Sequence, residues 1–285
     1  MAEAYHESLH PFGNLGIQVS LAALEAPHIP MHWHDSMEIL FCLNGEVTVH
    51  TEKKSYSLSK NQLIVFDSRE VHSINSASSL YMFLCMHVDK KQLSVYCPEL
   101  ELYNISCHPL PLDDPKSSKY IRLCQLAREL TRTNIRDKST RTMQSDGISL
   151  LMLADLVEYF SEYAPPKAIS DKAKPNDTIR DIISYVNDHY KEKISLDDIA
   201  AQTGFSREYF CRFFKQHMGV TFLQYVNEVR ISHAGRLLMS TDMSVAEVMR
   251  ESGFTNQTIF NRTFKELYGM TPRHARNSSP EDKYL

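Results

Sequence analysis

Four residues near the N-terminus have side chains and spacing suited to holding an ion or a polar ligand. They are His32, His34, Glu38 and His72, in the arrangement His32-x-His34-x-x-x-Glu38 with His72 following Val71. Two histidines two apart on a strand point to the same face, and a carboxylate on the next segment can return to it. Three imidazoles with a carboxylate suit a divalent transition metal. The same four side chains could instead line a pocket for a small effector, or be histidines satisfied within a core. The effector pocket is the preferred reading, with no metal and no cofactor assigned. The rival is an enzyme, a metal-dependent oxygenase or isomerase built on these four residues.

A second set of residues carries different chemistry, and it occurs twice. Ser195-Leu196-x-x-Ile199-Ala200-x-x-Thr203-Gly204-Phe205 is repeated 49 positions on as Ser244-Val245-x-x-Val248-Met249-x-x-Ser252-Gly253-Phe254. Phe210-x-Arg212-x-Phe214-Lys215 is repeated 50 positions on as Phe260-x-Arg262-x-Phe264-Lys265, and Gly219-x-Thr221 and Gly269-x-Thr271 close the copies. Ser195 and Ser244 are good N-caps, with Asp198 and Glu247 three residues later, and Gly204 and Gly253 stand where the chain must turn through positive φ. Each copy therefore reads as helix, tight turn and helix, with the phenylalanines on one face and Arg and Lys on another. An arginine placed in a major groove can make two hydrogen bonds to guanine. The residues assigned to DNA are Ser206, Arg207, Glu208, Cys211, Arg212 and Lys215 in the first copy. In the second they are Asn256, Gln257, Thr258, Asn261, Arg262 and Lys265. Arg212 and Arg262 are read as base contacts, Lys215 and Lys265 as phosphate contacts. Between the copies, Phe222 to Met239 carries a broken helical stripe long enough to space two readers.

This segment resembles the tandem helix-turn-helix domain of the AraC family of bacterial transcription regulators. The family's pattern is nearly whole in the second copy, ending Gly269-Met270-Thr271-Pro272, while Phe222 stands in the first copy where the family usually has Pro. The His32 to Glu38 stretch is similar to the first cupin motif and His72 to the histidine of the second. That second motif is degraded: Asn61-Gln62 replaces Gly-Asp, and Phe66-Asp67-Ser68 replaces Pro-x-Gly. The resemblance implies a barrel that holds a small effector, often without metal, with a sugar or related polar metabolite the first expectation. It also implies helices after the barrel that dimerise.

The elements that must position these residues follow from the pattern. Glu46 to His50, Tyr56 to Leu58, Leu63 to Phe66 and Leu80 to Val88 read as short strands separated by Asn44-Gly45, Lys53-Lys54, Lys60-Asn61 and 75–79. Trp33, the single tryptophan, is read as a packing residue or lid contact. From Lys116 to Tyr163 the period is helical, with a polar loop at Thr131 to Thr142, and Ile148 to Phe160 is apolar on more than one face. One face would cover the barrel and the other is a candidate dimer seam. The expected class is α+β, a cupin-like jelly-roll barrel with dimerisation helices followed by an all-α tandem helix-turn-helix domain. The boundaries read 1–115 barrel, 116–163 helical segment, 164–177 linker, 178–276 DNA-binding domain and 277–285 disordered tail.

Bulk properties limit the alternatives. The net charge is −4, and from Thr178 onward 14 Lys and Arg stand against 13 Asp and Glu, so a nucleic-acid reading rests on where the charges sit. Cys42, Cys85, Cys97, Cys107, Cys124 and Cys211 form no C-x-x-C pair, which points to reduced thiols and a cytoplasmic protein. No signal peptide or membrane span is expected. The sequence reading is an effector-controlled DNA-binding regulator, not an enzyme. Its partners are double-stranded DNA, a small-molecule effector and a second copy in a homodimer, with RNA polymerase among those it admits.

Overall fold

The computed structural model describes residues 15–24, 28–51, 54–76, 81–136, 138–164 and 175–277. The N-terminal half is built on strands β1 Ile17–Leu24, β2 His28–His32, β3 Met37–Asn44, β4 Glu46–Thr51, β5 Ser55–Ser59, β6 Leu63–Phe66, β7 His72–Ser76 and β8 Tyr81–Val88. They form two four-stranded antiparallel sheets, in the orders β1-β8-β3-β6 and β2-β7-β4-β5. Four of these strands fall where the sequence placed them. β1, β2, β3 and β7 carry weaker alternation or continuous apolar runs.

Alternation along β3 explains how the sheets are filled. Leu40 and Cys42 point between the sheets and pack with Ile64, Phe66, Phe83, Val47, Val49, Leu58 and Ile74. Ile39 and Phe41 point the other way and pack with Leu123, Ala127, Leu130, Met152 and Leu156. The latter residues come from helices α1 Ser117–Ile135 and α2 Arg141–Phe160. The loop between these helices is shorter than the Thr131 to Thr142 expected, because Leu130 and Thr131 are buried and carry α1 onward. Nor does the helical period reach Tyr163. Strand β10 Ser161–Tyr163 pairs with β9 Tyr103–Ile105 beside the barrel.

The C-terminal half is helical: α3 Pro175–His189, α4 Leu196–Gln202, α5 Arg207–Met218, α6 Phe222–Ser240, α7 Val245–Glu251, α8 Gln257–Tyr268 and α9 Pro272–Asn277. α4 with α5 and α7 with α8 are the two copies, and α6 is the connector. Ser195 caps α4 by accepting from the Asp197 and Asp198 amides, and Ser244 forms a reciprocal capping box with Glu247. Gly219 and Gly269 end α5 and α8 in the left-handed region, at φ 73° and 71°. Phe222, at the first position of α6, is 2% exposed and packs edge-on against Phe210 and Phe214. The missing Pro is thus replaced by a core residue. Most of the expected linker, and the tail from 278, lie outside the described residues.

Candidate functional site

Glu38 shares the inward face of β3 with Leu40 and Cys42, so it enters the space between the sheets at the end of the apolar filling. His72 begins β7, His32 ends β2, and His34 lies just past β2 in the turn before β3 rather than on a strand. The structure brings the four predicted residues together. Their ligand atoms all lie within 4.8 Å of one another, and the residues are 0–7% exposed. His34 Nε2 is 3.1 Å and His72 Nε2 3.2 Å from one Glu38 carboxylate oxygen. Phe66 stacks on the His72 ring at 3.9 Å.

Each of the three rings is oriented by its other nitrogen. His32 Nδ1 lies 2.9 Å from the Pro30 carbonyl, His34 Nδ1 2.7 Å from the Ser36 carbonyl, and His72 Nδ1 2.9 Å from the Glu70 carbonyl. A carbonyl only accepts, so Nδ1 carries the hydrogen in each ring and Nε2 is turned toward the cluster. Burial, and then the fields of His72 and His34, hold the His32 pKa well below its ordinary value. For Glu38, burial favours the neutral acid, but contacts with His34 and His72 and the field of His87 outweigh it, leaving the carboxyl well below its ordinary range. The set is one carboxylate among three imidazoles, with His34 Nε2 hydrogen-bonded to Glu38, and side chains of these types can hold a divalent metal.

His87 was missed by sequence reasoning. It lies opposite Glu38 in the β3–β8 register, is 4% exposed, and sits 5.4 Å ring to ring from His34. The inward alternation of Phe83, Cys85 and His87 was its only signal.

The cluster abuts the DNA-binding half. The Tyr225 hydroxyl of α6 donates to the Met31 carbonyl at 2.8 Å, and Trp33 Nε1 donates to the Arg180 carbonyl of α3 at 3.3 Å. Arg180 Nε donates to the Arg69 carbonyl at 2.8 Å, and His28 pairs with Glu228 at 3.4 Å. Val71 is buried in the same apolar cluster as Ile179, Ile183, Phe214 and Val229, with Met31 and Trp33 packed against it. Trp33 is therefore a docking residue. A cleft of about 620 Å³ also lies between the halves, lined by His28, His50, Gln216, His217, Glu228 and Glu266 together with Met31, Met218 and Leu267.

On the two second helices, all twelve residues assigned to DNA are exposed. Ser206 and Asn256 also cap their helices, accepting from the Tyr209 and Ile259 amides. Arg207 is paired with Asp197 at 3.2 Å, and Arg262 lies 3.8 Å from Glu266. The apolar faces, Phe210 and Phe214 in α5 and Phe260 and Phe264 in α8, are fully buried.

Residues 14–151 match the family described as the AraC-like ligand binding domain, and residues 199–278 match that described as the helix-turn-helix domain. A transcriptional regulator from Chromobacterium violaceum, described as of AraC-type DNA-binding-domain-containing proteins, is 31% identical over 35% of this chain and 88% of its own, with a TM-score of 0.33. The chain belongs to the AraC family. Among curated relatives of this AraC-family chain, the HTH-type regulator YdeC of Bacillus subtilis is 24% identical over 86% of this chain and 85% of its own. An HTH-type regulator of Staphylococcus aureus strain COL is 23% identical over 86% of this chain. This chain spans 32% of the length of that relative. A structure of ToxT from Vibrio cholerae aligns with 90% of this chain at 14% identity, with a TM-score of 0.46. Among the described residues no helix is long and apolar enough to cross a membrane.

Proposed function

We propose that this chain is a sequence-specific regulator that reads double-stranded DNA with α5 and α8 and is switched by a ligand held at His32, His34, Glu38 and His72. The observation that carries the first part is the matched pair of exposed basic faces on two buried-face helices, joined by α6. At about 1.5 Å per residue, the 19 residues of α6 extend roughly 28 Å. That is close to the ~34 Å between successive major grooves on one side of B-DNA. What favours regulation over catalysis is the position of the cluster, buried and pressed against the DNA-binding half. In this reading the protein is cytoplasmic, is not an enzyme, and pairs as a homodimer. Leu153, two residues on from the seam's exposed Leu151, is 5% exposed and belongs to the barrel-helix core. Only Leu151→Glu therefore tests the dimer, and it should yield monomers on sedimentation. Leu153→Glu would test folding.

Base reading is tested by selecting bound sequences from random DNA with the full chain and with Arg212→Ala and Arg262→Ala. Each substitution should relax preference at one base, the two about ten base pairs apart, by about 1–3 kcal/mol. Uniform weakening on all sequences by both variants would overturn the assignment.

A further inference from the structure

The repeat that makes the two second helices alike in shape also marks where they differ. α5 and α8 are both 12 residues long, bury Phe at matching positions and end on a left-handed glycine. An offset of 50 therefore lays Arg207, Glu208, Cys211, Arg212 and Lys215 over their counterparts in α8. Spacings of one, three and four residues put these positions on one exposed side of each helix, away from the buried phenylalanines. The two faces share a shape but not a chemistry.

Ser206 and Asn256 drop out of base reading, because each uses its side-chain oxygen to cap its own helix. What remains on α5 is Arg207, Glu208 and Arg212, with Cys211 too weak a donor to choose a base. A guanidinium donates two hydrogen bonds to guanine O6 and N7, and a carboxylate accepts from cytosine N4. α8 instead carries Gln257, Thr258 and Asn261 beside Arg262. A side-chain amide both donates and accepts, which matches adenine N7 and N6, and a threonine methyl packs on the methyl of thymine. Where the copies differ, α5 thus has two charges and a thiol, and α8 has two amides and a hydroxyl.

One arginine is also aimed. Arg207 Nη1 donates to both oxygens of Asp197 on α4 at 3.2 Å, which leaves the edge carrying Nε–H and Nη2–H outside that pair. Two parallel N–H groups are what guanine accepts. The place of Asp197 in the second copy, 49 positions on, is Ala246, and the place of Arg207 is Gln257. The donor and its acid therefore occur together in one unit and are both replaced in the other. An ion pair this exposed, at 55% and 66%, adds little stability, so its effect is to hold a long side chain in one direction. Arg262 is the single arginine of α8, with Glu266 3.8 Å from its Nε. Given the DNA-binding reading above, on which the assignment rests, we infer that the two units read unlike boxes. α5 takes G·C pairs, α8 takes A·T pairs around one guanine, and Asp197 is a positioning residue for Arg207. One chain then lies on its DNA in a single direction, with the barrel-seated unit on the G·C box.

The test is selection from random DNA with the full chain. Wild type should enrich two boxes centred about ten base pairs apart and unlike in composition. Exchanging the three differing residues tests the cause. Arg207→Gln, Glu208→Thr and Cys211→Asn together should turn the G·C box into a second A·T box. Gln257→Arg, Thr258→Glu and Asn261→Cys together should do the reverse. All six positions are exposed, so the core of each unit is untouched, and either exchange decides the matter if the other does not fold. Asp197→Asn should lower discrimination at one guanine of the G·C box about tenfold and leave the A·T box as it was. Two wild-type boxes of the same composition, or exchanges that leave composition unchanged, overturn the assignment of bases while the DNA-binding reading stands. An Asp197→Asn chain whose affinity falls equally on every sequence overturns the positioning role. A pool with no enriched sequence overturns the reading of α5 and α8 as DNA-binding helices, and the base assignment with it.

Discussion

The first helix-turn-helix unit buries Phe210, Phe213, Phe214 and Phe222 in a cluster that also takes in Val71 of the barrel, with Met31 and Trp33 against it. The second buries Val248, Phe254, Phe260 and Phe264 with Ile231, Ala234 and Leu238 of α6, all from the DNA-binding half. The two units thus share capping serines, turn glycines and basic faces, yet one is seated on the sensor and the other is not. A ligand held as proposed above would act directly on the first. The second would follow through α6, which contributes residues to both clusters.

The largest test of this contrast is at the two equivalent helix starts, Phe222 of α6 and Pro272 of α9. Phe222→Ala removes a side chain 2% exposed from the cluster that joins first unit and barrel, and should cost about 3–5 kcal/mol. Pro272 is buried too, but Pro272→Ala loses only a small part of its ring and a pre-set φ, about 2 kcal/mol. Urea unfolding measures both, and equal losses would erase the distinction.

The turn glycines come next. Gly204 and Gly253 hold φ 69° and 82°, so Ala at either position is strained by about 1–2 kcal/mol. A Cβ on Gly204 meets open space, but on Gly253 it comes within 2.5 Å of the Tyr190 carbonyl oxygen and 2.9 Å of Lys191 Cα. Overpacking adds about 1–3 kcal/mol there. Gly253→Ala should therefore be the more damaging of two formally identical substitutions. If thermal unfolding ranks them equal, the close approach is not felt.

What the sequence showed and what it hid divide along local and long-range signals. Caps, turns and both amphipathic second helices are short-range features, and the repeat stated them twice. The four-residue cluster was readable because three of its members lie within seven residues. His87 was not, since it reaches the site only through the pairing of β8 with β3. The role of Trp33 as an interdomain donor depends on a partner 147 positions away. β10 was lost because Ser161, Glu162 and Tyr163 continue a helical-looking run and become a strand only by pairing with β9.

Acid should act on the joint between the units. His233 of α6 stacks on Tyr190 at 3.8 Å and accepts from Arg236, while burial and then the charges of Arg236 and Lys191 push its pKa down to about 3. The folded state resists a proton that the unfolded chain takes up near 6.5. This contribution is therefore intact above about pH 6.5 and is lost as pH falls toward 3, at about 1.4 kcal/mol per pH unit. Between pH 7 and pH 5 the wild type should lose about 2 kcal/mol more than His233→Gln. Parallel losses in the two proteins would assign acid sensitivity elsewhere.

The smallest change bears most directly on the seat of the first unit. Tyr225 is fully buried, and its hydroxyl donates to the Met31 carbonyl one residue before His32. Position 275, its counterpart in the second copy, is Ala, so no equivalent bond can form there. Tyr225→Phe keeps the ring and its packing and removes the hydroxyl's bonds to the Met31 carbonyl and the buried Asn187 side chain, together worth at least about 1 kcal/mol. Because the barrel and the second unit keep their own cores, that loss should appear as local opening rather than global unfolding. Amide exchange along β2 and at Val71 should quicken about fivefold, the equivalent of about 1 kcal/mol, with α7 and α8 unchanged. Equal acceleration in α8 would mean that the two units open together, and the asymmetry between them would have no consequence for motion.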